Sequence, residues 1–236
     1  MTPASELRIL PIPGLPEVRP GDRLSDLIGA AADVVDGDVV VVTQKVVSKA
    51  EGRLVACASD DETARRALVD SESVRVLRRA PGRATITETR HGFVCAGAGI
   101  DFSNMEPGVA ALLPVDPDRS ARRIRDGLLA RTGRTVAVIV SDTFGRPWRR
   151  GLTDVAIGCA GIGAVLDLRG TTDTFGRPLR VTEIAVADEL AAAADLVMGK
   201  ATGIAATIVR GVDPAWLRES SVRAELVRSP QEDLFR

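Results

Sequence analysis

Two short segments carry the residue types that bind hard cations. Gly99-Ile100-Asp101-Phe102-Ser103-Asn104 places a carboxylate among glycine, serine and asparagine behind a small, apolar stretch. Ser141-Asp142-Thr143 sets a carboxylate beside a hydroxyl directly after the apolar run from Val136 to Val140. Such oxygens hold Mg2+ beside substrate phosphates. Arg146, Arg149 and Arg150 follow the second segment, and guanidinium groups neutralise phosphoryl oxygens. Each segment alone also fits a turn or a helix cap, for which Asp, Asn and Ser are favoured. Two of them in one chain favour a shared ion more than either does alone.

Two further segments join lysine to small or hydroxyl residues: Gln44, Lys45, Ser48 and Lys49, and Met198-Gly199-Lys200-Ala201-Thr202-Gly203. Lysine and arginine total 31, but lysine occurs only at positions 45, 49 and 200, leaving 31 − 3 = 28 arginines. A lysine where arginine is the habit suits a site that wants a compact point charge, and chance placement is the even alternative. Neither segment matches GxxxxGK[ST], and no GxGxxG opens a helix after a strand. P-loop and dinucleotide chemistry are therefore not indicated.

The remaining composition narrows the class. A formal net charge of −1 argues against a broad surface for nucleic acid. A single histidine, His91, excludes a multi-histidine zinc site within one chain. Cys57, Cys95 and Cys159 have no CxxC spacing, as expected of reduced thiols in a cytoplasmic protein. No apolar run approaches the roughly 20 residues of a membrane span, and no basic start and apolar h-region mark a signal peptide.

These segments need elements to position them. Leu7 to Pro16 reads as a short strand entering a proline-punctuated loop, and Asp22 to Val35 as a helix. Val39 to Val42 is a strand buried on both faces, and the end of such a strand is where α/β proteins place ligand contacts. Asp60 to Ala80 is helix-compatible, Thr85 to Thr89 alternates as a strand, and Gly92 to Ile100 is glycine-rich. Arg119 to Arg131 is an amphipathic helix closed by Gly133, leading into the strand Val136 to Val140. Ala185 to Met198 is helical, Ala205 to Val209 a late strand, and Pro214 to Leu226 helical. The class is α/β or α+β, a mixed sheet with helices, expected as one domain over 1–236. Asp142-Thr143-Phe144-Gly145-Arg146-Pro147 recurs as Asp173-Thr174-Phe175-Gly176-Arg177-Pro178, with the first copy expected to be chemical and the second structural.

Taken in order, the segments resemble the coenzyme F420-0:L-glutamate ligase family. The likeness runs through Leu10-Pro11-Ile12-Pro13-Gly14-Leu15-Pro16, Val46-Val47-Ser48-Lys49-Ala50-Glu51-Gly52-Arg53 and Ala98-Gly99-Ile100-Asp101 with Ser103-Asn104. It continues through Ser141-Asp142-Thr143-Phe144-Gly145-Arg146 with Arg149-Arg150-Gly151, Ala187-Asp188-Glu189 and Val209-Arg210-Gly211. The resemblance implies a GTP-dependent ligase that adds L-glutamate, and then successive γ-linked glutamates, to a deazaflavin precursor through an acyl phosphate. It implies Mg2+ or Mn2+, with K+ as a further candidate cation, and an intertwined homodimer in a family-specific fold. Asp101 and Asp142 would hold one divalent ion and Thr143 would contact a second, with Asp142 and Arg146 at the chemistry. Leu15, Pro16, Glu17, Val18, Gln44, Lys49 and Asn104 would contact GTP.

The resemblance breaks at one place. Archaeal members place an acidic residue after Met-Gly, where this chain has Lys200. A cation cannot ligate a metal, so either the second ion has other ligands or Lys200 answers phosphate charge and joins the nucleotide contacts. The position looks like the actinobacterial branch, in which the ligase is often fused to a C-terminal flavin-binding reductase-like domain. No such domain follows Ser229 to Arg236, so the chain is expected to be a stand-alone ligase or the N-terminal half of a fusion. The competing readings are a metal-dependent phosphohydrolase or nucleotide-binding enzyme acting on another phosphorylated metabolite, and a binding module that keeps the pocket.

Overall fold

The computed structural model describes residues 6–58, 60–103 and 105–234. In chain order the elements are β1 (Arg8–Pro11), α1 (Leu24–Ala31), β2 (Val39–Thr43), α2 (Gln44–Ala50), β3 (Leu54–Ala56) and α3 (Glu62–Glu72). Then come β4 (Ser73–Arg78), β5 (Ile86–Thr89), β6 (Val94–Ala96), β7 (Val109–Ala111), α4 (Pro117–Thr132) and β8 (Ala137–Arg146). The rest are β9 (Arg149–Ala160), β10 (Leu166–Asp167), β11 (Glu183–Ile184), α5 (Val186–Met198), β12 (Ala206–Arg210) and α6 (Val222–Glu225).

The central sheet runs β1-β12-β2-β8-β9, with β2 and β8 parallel and every other pairing antiparallel. Side chains alternate across a strand, so the valines of β2 serve two cores. Val40 and Val42 face Leu24 and Ile28 of α1 and Ala121, Ile124 and Leu128 of α4. Val39 and Val41 face Ala187, Leu190 and Ala194 of α5. Both faces are covered, which is why β2 and the start of β8 are unbroken apolar runs. Burying each of those valines contributes roughly 1.5–3 kcal/mol.

The expected elements are present, with three corrections. Asp60 to Ala80 is not one helix: α3 ends at Glu72 and the chain continues as β4, paired with β5. Val74 and Val76 suit a pleated ribbon, and the charges between them had concealed that alternation. Pro214 to Leu226 is a 3-10 turn at Pro214–Trp216 followed by the single turn α6. The strand at Val136 to Val140 extends to Arg146 and turns back into β9, a twelve-residue strand. Asp142 and Thr143 therefore sit within a strand, one step past the β2 end, where Thr43 pairs with Ser141.

Close packing holds β9 in place. A Cβ on Gly158 would lie 2.3 Å from the Pro117 carbonyl carbon, so only glycine lets the α4 start approach this strand. Among the described residues, no helix is long and apolar enough to cross a membrane.

Candidate active site

Three elements deliver carboxylates to one place beyond the β2 end. Asp101 follows a tight turn in which Gly97, Ala98 and Gly99 all have positive φ (58°, 56° and 69°). Ala98 pays about 1–2 kcal/mol for that conformation, and it is buried. Asp101 then bridges Ala111 of β7, which fixes its backbone. Its Oδ1 accepts the N–H and the hydroxyl of Ser103, both at 2.7 Å, so the turn role open to this aspartate is realised. Its Oδ2 meets Lys45 Nζ at 2.9 Å, and Lys45 also donates to the Ser103 carbonyl. Burial alone would raise the Asp101 carboxyl; the Ser103 hydroxyl and Lys45 outweigh it and hold the group below its ordinary value.

Asp142 lies on β8 within the electrostatic reach of Asp101. Burial, reinforced by the charges of Asp101 and Asp154, pushes its carboxyl up to about 7, against the Thr143 N–H and Lys200. Cys95 stands close by, and burial together with Asp142 pushes its thiol up to about 12. Phe144 fixes the next turn of the strand by an edge contact with Phe93, ring centres 6.2 Å apart.

Thr143 pairs in register with Asp154 of β9. Its hydroxyl donates to Asp154 Oδ1 at 2.6 Å, while Ser141 Oγ donates to Oδ2 at 2.9 Å. Lys200 Nζ donates to Thr143 Oγ1 at 2.6 Å and meets Asp154 and Asp195 at 3.2 and 3.0 Å. Asp154 is 3% exposed, a carboxylate that burial would penalise heavily without these partners. Two residues further along β9, Asp188 of α5 accepts the Ala156 N–H at 2.9 Å and ties the strand to the helix.

Most of the positions expected to contact GTP lie on α2 and in the loop that precedes α1. Lys49 of α2 ion-pairs with Glu17, joining helix to the Leu15–Val18 loop; Val18 is buried and Leu15 packs against the core, while Pro16 is exposed. Gln44 is buried, its amide nitrogen donating to Ser48 Oγ and the Leu112 carbonyl. Arg146 is exposed near the β8–β9 turn and donates to the Arg150 carbonyl. Three residues beyond Thr143, its backbone is about 10 Å further along the strand. Asn104 lies outside the described residues. All three lysines have acidic partners: Lys45 at Asp101, Lys49 at Glu17 and Lys200 at Asp154 and Asp195.

The donor set suits a small hard cation that keeps water and substrate oxygens in its shell. Among the described residues no three His, Cys, Asp or Glu side chains gather as a metal cage. Asp101 and Asp142 supply two carboxylates, the number Mg2+ commonly takes from a protein beside phosphates. Burial is the main cause that raises Asp142; the charges of Asp101 and Asp154 add to it, and a divalent ion would relieve that part.

The whole-chain comparisons decide the family. The family model for F420-0:gamma-glutamyl ligase matches residues 14–211. The chain belongs to that ligase family. It is 43% identical to the coenzyme F420:L-glutamate ligase of Methanopyrus kandleri, with 98% of each chain covered. The enzymes of the same name from Methanothermobacter thermautotrophicus and Archaeoglobus fulgidus are 41% and 40% identical over 98% of this chain, covering 99% and 96% of their own lengths. Asp154 and Asp195 were not among the positions singled out from the sequence. The signal for Asp154 was its place in Val155-Ala156-Ile157-Gly158, an apolar run that begins with a carboxylate. Asp195 gave no comparable signal, being one acid on an alanine-rich helix.

Proposed function

We propose that this ligase joins L-glutamate to the deazaflavin coenzyme precursor F420-0, and then adds γ-linked glutamates, with GTP as the energy source. The reading is carried by the electrostatic coupling of Asp142, on β8, to Asp101, whose backbone is bridged to β7, in a chain whose relatives of matching length are named for this reaction. A bound Mg2+ or Mn2+ would supply charge neutralisation at the phosphoryl group. Asp101 and Asp142 would hold that ion. Lys45 keeps Asp101 ionised and in place, and Ser103 aims it. Thr143 and Lys200 present a hydroxyl and an ammonium beside them, and the ammonium faces phosphate charge. Lys49, Glu17 and the Leu15–Val18 loop would border the nucleotide, with Gln44 setting the shape of its wall from within. In this account the precursor carboxylate takes the γ-phosphoryl group of GTP, and the glutamate amine then displaces phosphate from the acyl phosphate. Positioning of the two acceptors does most of the work.

The chain acts in this proposal as a single ligase domain in a cytoplasmic homodimer. Three free, buried cysteines support a reducing compartment. Trp148 and Leu152 on the β8–β9 hairpin, with Phe175 and Val181 between β10 and β11, support a second copy as the cover of exposed apolar side chains. The test is incubation of the purified chain with GTP, Mg2+ or Mn2+, glutamate and F420-0, read by mass spectrometry. The expected product is the precursor extended by glutamyl residues. Recovery of unextended precursor alongside released phosphate would favour a phosphohydrolase instead.

A further inference from the structure

Three oxygens from three elements converge on one atom. Thr143 Oγ1 of β8, Asp154 Oδ1 of β9 and Asp195 Oδ1 of α5 lie 2.6, 3.2 and 3.0 Å from Lys200 Nζ. Hard oxygens drawn round one point from separate parts of the fold make a cation place, and here the cation belongs to the chain. The local backbone explains how it gets there. α5 ends at Gly199 (φ 59°, ψ −176°), which turns the next residue back beside Asp195 in the helix's last turn. The side chain of Lys200 is 59% exposed, yet it reaches a carboxylate that is 3% exposed. Asp154 has its other oxygen taken by Ser141, so the hydroxyl of Thr143 and this ammonium together satisfy Oδ1.

The charge count points the same way. Asp101, Asp142, Asp154 and Asp195 bring four negative charges when ionised, and Lys45 and Lys200 return two. In the chain without substrate the remainder, 4 − 2 = 2, matches one divalent ion.

We infer that Lys200 is the built-in second cation of this site: Asp101 and Asp142 hold one divalent ion, and the ammonium occupies the Thr143–Asp154–Asp195 place that a second ion would need. This rests on the metal-dependent reading of the Asp101–Asp142 pair proposed above and adds the number of ions. The site then depends on one metal-binding equilibrium, so activity rises with the first power of free metal.

The direct experiment counts Mn2+ bound to the metal-stripped full chain, following free Mn2+ by electron paramagnetic resonance with no substrate present. The wild type should bind one Mn2+ per chain. Lys200→Glu and Lys200→Gln should each bind two, and Lys200→Arg, which keeps the charge, should bind one. Thermal melting identifies any variant that has not folded. Two ions on the wild type overturn the inference whatever the variants do, and so does a count of one on folded Lys200→Glu and Lys200→Gln. No Mn2+ on the wild type removes the metal reading and this inference together. Because counting needs neither GTP nor glutamate, a chain that follows the pattern but fails to ligate loses only the ligase proposal. A chain that ligates with two ions loses only the inference about Lys200.

Discussion

Two sets of buried and half-buried carboxylates in this chain are satisfied in opposite ways. At one, Asp118 accepts the backbone N–H groups of Cys159, Val222 and Arg223, tying α4, β9 and α6 together. Beside it, Glu225 accepts the N–H groups of Ala164 and Val165 and pairs through both oxygens with Arg218. Burial would raise Glu225, but Arg218, the Ser220 hydroxyl and the Val165 N–H pull it down to about 2. At the other set, Asp142 is pushed up to about 7 by burial and by Asp101 and Asp154. A carboxylate whose oxygens tie backbone N–H groups of separate elements together is a joint, finished when the chain folds. A carboxylate crowded by its own kind leaves charge that a cation can take up, and perturbation of that sort gathers at functional sites.

The comparison can be broken by exchanging the groups. The largest effect expected is from Asp142→Asn, which should lower metal-dependent turnover on the order of 10³-fold or more while leaving the fold intact, measured by steady-state kinetics and circular dichroism. Asp118→Ala should do the reverse. It strands three backbone donors, so unfolding in denaturant should show a loss of roughly 3 kcal/mol or more, with Mn2+ affinity unchanged in the folded protein. Glu225→Gln should cost less, about 1–3 kcal/mol at pH 7. Its pKa is depressed in the fold, so its contribution is present above the ordinary value of 4.5 and is lost as pH falls through about 2. The deficit of the variant should accordingly shrink on acidification.

Asp142 has the opposite sign and gives the most discriminating effect. Its pKa is raised from 3.8 to about 7, so in the metal-free chain its favourable contribution exists at acid pH and is lost as pH rises through about 7. Metal-free Asp142→Asn should therefore melt above the wild type at pH 8, with the gap narrowing as pH falls from about 7 and closing below the ordinary value of 3.8. A variant that melts below the wild type at pH 8 would make Asp142 a joint like Asp118.

What the sequence disclosed follows from what each feature depends on. The valines of β2, the helix closed by Gly133 and the α5 repeat of alanines carry local periodicity, and they fold as that periodicity requires. Asp101 and Asp142 stood out because each is a polar group behind an apolar run. The continuation of β8 past Val140 was hidden, because Ser141 to Arg146 has the composition of a loop and becomes strand only through pairing with β9. Asp154 was hidden for the same reason: its burial is a property of the hairpin register, which places it opposite Thr143. The repeat at Asp173 does form a local turn, with Asp173 Oδ1 accepting the N–H groups of Phe175 and Arg177. The same Asp-Thr-Phe-Gly-Arg segment thus lies in a strand at one site and a turn at the other, decided by what precedes it.

The central claim is that the Asp101–Asp142 pair couples GTP to amide formation. It is tested most directly by GDP release from the wild type and from Asp142→Asn, with glutamate and F420-0 each present or withheld. The account predicts rapid, metal-dependent GDP release from the wild type only when both acceptors are present, and almost none from the variant. Equal GDP release without either acceptor, or full activity in Asp142→Asn, would contradict it.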